Sequence, residues 1–291
     1  MKALLLGPYG QLGSDIRAAN AMAGDPLALV PIGRDIVDLS DIDKAADIIG
    51  GREFDVLINC SSYHKTDEVE KNAQNAFTIN AHLVGRLAEI CFKKRARFVH
   101  VSTDYVFGGQ AKREPLRESD IPSPINVYGA SKLMGESLVS LVGGDVLVLR
   151  VASLFGIVGA SGKGGNFVET MIRIGKEKGV LRVVADQIMS PTATADIATA
   201  LLKMLKLDVN PGVWHVVNSG AVSWHDFAVA IIERCGIKAS VVAIASADFP
   251  TAAKRPPYSA LDNGKLAAAV GSMPTWQQAL DKYLSQRSSK N

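Results

Sequence analysis

Lys2-Ala3-Leu4-Leu5-Leu6-Gly7-Pro8-Tyr9-Gly10-Gln11-Leu12-Gly13 opens the chain, and its reading decides the fold. A short, continuously apolar run is what a strand buried on both faces requires. It ends in a GxxGxxG whose last glycine enters the helix predicted over Gln11–Ala21. One such glycine permits the tight turn, one lets the backbone approach a pyrophosphate, and one lets the helix pack on the strand. The helix N-terminus then offers free N–H groups and the positive end of its dipole to phosphate. The spacing alone is a weak signal in a chain with 26 glycines. Set between a first strand and a first helix, it points to a dinucleotide held by Gly7, Tyr9, Gly10, Gln11, Leu12 and Gly13.

The same theme of strand, turn and amphipathic helix repeats outward. Strands are expected at Leu27–Ile32, Val56–Asn59, Arg97–Ser102 and Val146–Arg150. Helices are expected at Asp41–Ile49, near Ala73–Lys94 and at Val127–Leu141. This alternation predicts an α/β, Rossmann-type doubly wound parallel sheet. Beyond Arg150 the rhythm loosens. Helices Asn166–Lys178 and Thr194–Lys206 and strands Val180–Val184 and Val213–Val217 continue it, and Ser223 reads as the cap of a further helix. An amphipathic stretch surrounds Trp276–Leu284, and the polar end Ser285–Asn291 is expected to fray. The expected division is a coenzyme-binding domain of residues 1–152 plus about 179–217, interleaved with a smaller C-terminal α/β substrate domain of about 153–178 plus 218–291.

Composition narrows the function. With 291 residues, 47% hydrophobic and 21% charged, the chain is ordinary globular material rather than disordered or coiled coil. A net charge of +3 with scattered Lys and Arg gives no basic field for nucleic acid. Its apolar runs fall far short of the roughly 20 residues a bilayer span needs, and the first one is too brief for a signal peptide. Cys60, Cys91 and Cys235 lie far apart without CxxC spacing, so neither disulfides nor a metal site is expected, and reduced thiols in a cytoplasmic protein are. A homodimer is left open.

Coenzyme choice is read after the second strand, where an acidic residue would take ribose hydroxyls and a basic one a 2′-phosphate. Gly33-Arg34-Asp35 stands there. Arg34 can fork onto a phosphate, so NADP(H) is expected as the preferred cofactor, with NAD(H) as the alternative because Asp35 is adjacent. Asp38 and Leu39 are placed to meet the adenine edge.

Tyr128-Gly129-Ala130-Ser131-Lys132 is a Tyr-xxx-Lys, which puts both side chains on one helix face. It follows a strand ending in Ser102-Thr103-Asp104-Tyr105-Val106-Phe107, at the carboxyl edge of a parallel sheet where such folds bind ligands. A phenol titrates near 10, and a cation held close favours the phenolate. Lys132 is therefore expected to make Tyr128 a usable proton donor.

At these residues the chain resembles the extended short-chain dehydrogenase/reductases, and among them the dTDP-4-dehydrorhamnose reductase family. The glycine loop and the Tyr128–Lys132 pair belong to the superfamily. Ser102–Phe107, Asn166-Phe167-Val168, Asp186–Thr192, Ser223–Phe227 and Arg255–Asp262 carry the narrower likeness. The resemblance implies Thr103, Tyr128 and Lys132 as catalytic residues, with Thr103 hydrogen-bonding the substrate carbonyl and Lys132 also holding the nicotinamide ribose. It implies that Cys60, Ser61, Ser62 and Tyr63 lie along the coenzyme, that Asn80 orders the site, and that Val151 borders the nicotinamide. Substrate would meet Thr103, Asp104, Tyr105, Ser153, Asn166, Gln187, Thr192 and Arg255. Ser153 replaces a Trp common in the family, and His64 a Thr.

The implied activity is NADPH-dependent reduction of the 4-keto group of a nucleotide-linked deoxysugar, dTDP-4-dehydro-L-rhamnose first among them. A 4,6-dehydratase would want an acidic residue where Tyr105 stands. An epimerase would keep NAD bound through its cycle. A non-catalytic regulatory subunit, like that of methionine adenosyltransferase, would not need Thr103, Tyr128 and Lys132 intact.

Overall fold

The computed structural model describes residues 1–159 and 165–288. In chain order the elements are β1 (Lys2–Leu6), α1 (Gln11–Met22), β2 (Ala28–Ile32), α2 (Ile42–Gly50), β3 (Val56–Asn59), α3 (Thr66–Lys71), α4 (Ala73–Phe77), α5 (Leu83–Lys94), β4 (Arg97–Thr103), α6 (Val127–Val142), β5 (Val146–Val151) and β6 (Leu154–Phe155). There follow α7 (Phe167–Lys178), β7 (Val180–Val184), β8 (Ile188–Met189), β9 (Thr192–Ala193), α8 (Thr194–Lys206), β10 (Gly212–His215), β11 (Val222–Ser223), α9 (Trp224–Arg234), β12 (Ser240–Ile244), α10 (Gly264–Val270) and α11 (Trp276–Ser288).

Six strands form one parallel sheet in the order β10-β5-β4-β3-β1-β2. The alternation of side chains along a strand explains its burial on both sides. Ala3 and Leu5 of β1 pack beneath α1 and α8 with Ile16, Ile197 and Leu201. Leu4 and Leu6 face the other way, toward Ile49 of α2 and Leu83 and Leu87 of α5. The chain runs from β1 to β2 on one side and then to β3 on the other, so the order reverses between β1 and β3. Ligands of doubly wound sheets bind at the carboxyl ends of strands flanking such a reversal.

A second core gathers Phe155, Val168, Leu181, Val183, Phe227, Trp276 and Tyr283. Here the expected division needs correction. Strand β7, assigned by sequence to the coenzyme domain, pairs in parallel with β12 in a separate two-stranded sheet, and its Leu181 and Val183 belong to the second core. Its alternating exposure gives the reason: Val180 and Arg182 face solvent, which a strand buried on both faces does not allow. Helix α10 instead contributes Leu266 to the core under the large sheet.

The single helix expected near Ala73–Lys94 is three pieces. A π-helical turn at Thr78–His82 separates α4 from α5. It presses the Asn80 backbone against Gly135 of α6, where a Cβ would overlap the Asn80 carbonyl oxygen. π-Turns of this kind collect at functional sites. At the other end, α11 extends through Ser288, with Arg287 ion-paired to Glu169 at 2.7 Å. The remainder of the end expected to fray, 289–291, lies outside the described residues, as does 160–164 of the expected substrate domain. Among the described residues, no helix is long and apolar enough to cross a membrane.

Candidate active site

A cavity of about 1070 Å³ runs from the glycine loop, past the ends of β3, β4 and β5, to the second core. Its volume exceeds the ~300–1,000 Å³ usual for one small ligand.

The glycine loop builds one end. Gly7 has φ +72°, and a Cβ on it would lie 3.2 Å from the Cys60 backbone across the strand reversal. A Cβ on Gly13 would overlap the Gly7 carbonyl oxygen, so side chains are excluded by backbone contact. Gly10 caps α1 in extended conformation without a side-chain cap, and the first turn carries no acidic residue. The N–H groups at this end are thus left for an anion. Gln11 is buried and its Oε1 has no partner among the described residues, an acceptor that a bound donor would satisfy. The residues present therefore fit a dinucleotide. Tyr9 and Leu12 line the cavity, as do Arg34, Asp38 and Leu39 at the end of β2. Asp38 is turned back on its own loop, accepting from the Ser40 N–H and hydroxyl, which hold its carboxyl below the usual range.

The middle of the cavity is where β4 meets α6. Asn126 caps α6, its carboxamide oxygen accepting from Gly129 N at 2.8 Å. That cap sets Tyr128 on the first turn, and Lys132 one turn on, toward the cavity. Gly129 allows the approach, since a Cβ there would overlap the Tyr105 carbonyl oxygen. Lys132 is 1% exposed, and its ammonium donates to Val101 O at 2.6 Å and faces His100 Nε2 at 3.2 Å. Burial lowers its pKa to about 8, opposed by the charges of Glu136 and Cys60. Burial, with the Lys132 charge, keeps His100 well below the histidine range, so a neutral ring can accept from the ammonium. Sequence reasoning missed His100. Its one signal was a polar residue inside the apolar run Phe98–Val101.

The expected tuning of Tyr128 needs correction. Desolvation pushes its phenol up to about 12. The Ser62 hydroxyl pulls it down, and the charges of Asp104 and Tyr105 push it up. Lys132 is not among these main influences, and its ammonium is engaged by Val101 O and His100. Thr103 also differs from expectation. Its hydroxyl donates to Asp104 Oδ1 at 3.1 Å and accepts from Tyr105 N at 3.2 Å, so in this arrangement its proton is not aimed at a carbonyl.

Beneath the site, Glu136 on the same face of α6 takes a bidentate pair from Arg150 of β5, closest at 2.6 Å, and accepts from Ser102. Arg150 also lies over the Phe107 ring. This buried pair locks α6 to the sheet, where loss of either partner would strand a charge.

Cys60, Ser61 and Ser62 line the cavity after β3, as do Val151 and Ser153 after β5. The Cys60 thiol is pushed up to about 12 by burial. Ser153 has φ +45°, a conformation uncommon for a residue with a side chain. Tyr63 and Asn80 do not line it. The Asn80 carboxamide accepts from Tyr63 N and donates to Tyr63 O and Ser131 Oγ, tying the loop after β3 to α6. The Asn80 side chain is thus spent on joining these two segments and not on the cavity wall.

Tyr105 stacks edge-on to Tyr128 at 5.9 Å, and its hydroxyl accepts from Arg255. Arg255 lines the cavity but is ion-paired to Asp67 at 2.5 Å. Asn166 lines it too, with its amide spent on Gly156 O and Tyr283 OH. Asp104 has both carboxylate oxygens engaged, by Thr103 and Ser259. Gln187 and Thr192 are not at the cavity. Gln187 donates to Ser246 Oγ at 2.8 Å, while Thr192 is fully buried, donating to Ser190 O and accepting from Asn218 N. The wall there is aromatic instead. Phe167 and Trp224, with ring centroids 4.6 Å apart, and Phe227 line the cavity. Each of the first two directly follows a helix cap, Asn166 or Ser223, the signal that could have found them.

A glycine loop at a strand reversal, and a tyrosine and lysine one turn apart at the next strand ends, define a short-chain dehydrogenase/reductase. The chain belongs to the family described as RmlD substrate binding domain, whose model matches residues 1–289. It is 36% identical over 289 residues to a dTDP-4-dehydrorhamnose reductase of Aggregatibacter actinomycetemcomitans (95% of this chain, 96% of that one). It is 34% identical to the spore coat polysaccharide biosynthesis protein SpsK of Bacillus subtilis (99% and 98%). A crystal structure of the Bacillus anthracis dTDP-4-dehydrorhamnose reductase in complex with NADP superposes with a TM-score of 0.89 at 32% identity (98% and 99%).

Proposed function

We propose that this chain reduces the 4-keto group of a nucleotide-linked deoxysugar with NADPH, converting dTDP-4-dehydro-L-rhamnose to dTDP-L-rhamnose in the cytoplasm. One observation carries the reading: the glycine loop, Arg34, and the Thr103–Tyr128–Lys132 group open onto the same cavity. The relatives' names and the NADP complex of one of them support it.

Bound along the loop, a nicotinamide coenzyme supplies the hydride for the ketone carbon. Gly7, Gly10 and Gly13 admit its pyrophosphate to the α1 N-terminus, and Arg34 takes the 2′-phosphate. Lys132, held from below, presents its ammonium to the nicotinamide ribose. Tyr128 gives its proton to the ketone oxygen. Burial keeps the phenol protonated, so its proton is in place when the ketone arrives, and positioned proton transfer contributes ~10²–10⁴-fold. Arg255, Tyr105, Phe167 and Trp224 border the sugar nucleotide.

Offering dTDP-, UDP- and GDP-linked 4-keto sugars with NADPH or NADH, and following absorbance of the reduced coenzyme, tests this. The expected outcome is fastest turnover with the dTDP sugar and NADPH. Silent turnover across the panel would overturn the reading, and NAD retained through purification would point to an epimerase.

A further inference from the structure

The buried polar chain behind Thr103 deepens the proposed function and rests on that reading. We propose that Asp104, held by Ser259, is a positioning residue that commits the Thr103 hydroxyl proton and so makes Thr103 an acceptor beside the reacting ketone.

All three groups are buried: Thr103 is 5% exposed, Asp104 3% and Ser259 3%. Thr103 Oγ1 lies 3.1 Å from Asp104 Oδ1, and Ser259 Oγ lies 2.6 Å from Oδ2. An ionised carboxylate has no proton, so both hydroxyls must donate to it. Thr103 owns a single proton, and its oxygen already accepts from the Tyr105 N–H. What it turns toward Tyr128 is a lone pair. Of the pair Thr103 and Tyr128, only Tyr128 is then left with a proton for the ketone. Ser259 comes from the segment between β12 and α10, so a residue far along the chain sets the hydrogen-bond direction at the end of β4.

Protonation of Asp104 reverses this. Its own O–H can then donate to Thr103, whose proton turns to the cavity and supplies a second donor where negative charge develops on the ketone oxygen. Burial raises the Asp104 carboxyl to about 6, and Ser259 and Thr103 pull it down. The groups facing it are Tyr105 from its own turn, Tyr128 from α6 and, beyond Tyr105, the Arg255–Asp67 pair. Both tyrosines are pushed up by burial, away from this range. His64 lines the same cavity and is the group to control for.

The experiment is the pH dependence of kcat/KM for wild type, Ser259→Ala, Asp104→Asn and His64→Gln, beside infrared pH-difference spectra of each protein without substrate. In wild type, turnover should rise about tenfold as pH falls through the carboxyl's titration near 6, the size of one hydrogen bond. Ser259→Ala removes a donor to the carboxylate, so the midpoint should move up by about one unit. Asp104→Asn, whose amide mimics the protonated acid, should show a flat profile on the upper plateau and lack the infrared carboxyl band. His64→Gln should keep the wild-type midpoint. An unmoved midpoint in Ser259→Ala, or a wild-type profile in Asp104→Asn, overturns the proposal. If wild type reduces no sugar, the functional reading fails, and the infrared titration in Ser259→Ala still decides this one.

Discussion

The two ends of the cavity are built by different means. At the glycine loop the ligand surface is backbone: Gly7, Gly10 and Gly13 are fixed by φ angle and by carbonyl oxygens that leave no room for a Cβ. At the far end it is side chains converging from α3, α7, α9 and the segment after β12, with partners distant in sequence such as Asp67 for Arg255 and Trp224 for Phe167. A backbone constraint leaves a mark at its own position in the sequence. A partner on another segment leaves none. The first end was therefore readable residue by residue, and the second was not.

The largest effect expected falls between the two ends. Tyr128→Phe removes the proposed proton donor while keeping the ring's contact with Tyr105. Turnover should fall by ~10²–10⁴-fold with little change in KM, measured by reduced-coenzyme absorbance under saturating sugar. Full turnover in this variant would show that the shared middle of the site is misassigned, and the comparison of its ends would lose its reference point.

Lys132 gives a pH test of the same centre. Burial lowers its pKa to about 8, so the ammonium is present below that value and is lost as pH rises through it. If the ribose contact needs the cation, kcat/KM should decline about tenfold per unit above pH 8 in the free enzyme. Lys132→Arg stays charged throughout, so whatever activity it retains should lack this limb. A limb unchanged in the arginine variant would assign it elsewhere.

Arg34→Ala sharpens the first end, where the surface is otherwise backbone. Arg34 is exposed at the cavity mouth, and it is proposed to act on the one phosphate that distinguishes the coenzymes. The expected change is about a tenfold rise in KM for NADPH with NADH unaffected, compared by steady-state kinetics with each coenzyme. Equal losses with both would mean the residue shapes the loop rather than reads the phosphate.

What sequence revealed follows the same division in the fold. The strands of the large sheet were legible because burial on both faces forces continuous apolar runs, as in Leu4, Leu5 and Leu6 or Val56, Leu57 and Ile58. β7 misled because Val180–Val184 is as apolar as those strands in composition, while its exposed Val180 and Arg182 mark an edge pairing that only β12 explains. The π-turn at Thr78–His82 was hidden because helical periodicity continues through it. What it packs against is Gly135, on another helix. His100 likewise means little until α6 sets Lys132 against it.

Gln187→Ala is the smallest effect and the sharpest trial of the contrast. Family resemblance placed Gln187 on the substrate, and its string Asp186–Thr192 is among the narrow likenesses. The structure turns its amide to Ser246 Oγ, within a turn where Asp186 also receives the Ser246 N–H and hydroxyl. Truncation removes one half-buried neutral hydrogen bond, worth about 1 kcal/mol of stability, and touches nothing in the cavity. KM for the sugar nucleotide should stay within about twofold of wild type while the midpoint of urea unfolding falls slightly. A tenfold rise in KM with unchanged unfolding would place Gln187 on the substrate after all. The narrow motif would then be a binding string, and a site formed by distant segments would have been legible from one of them.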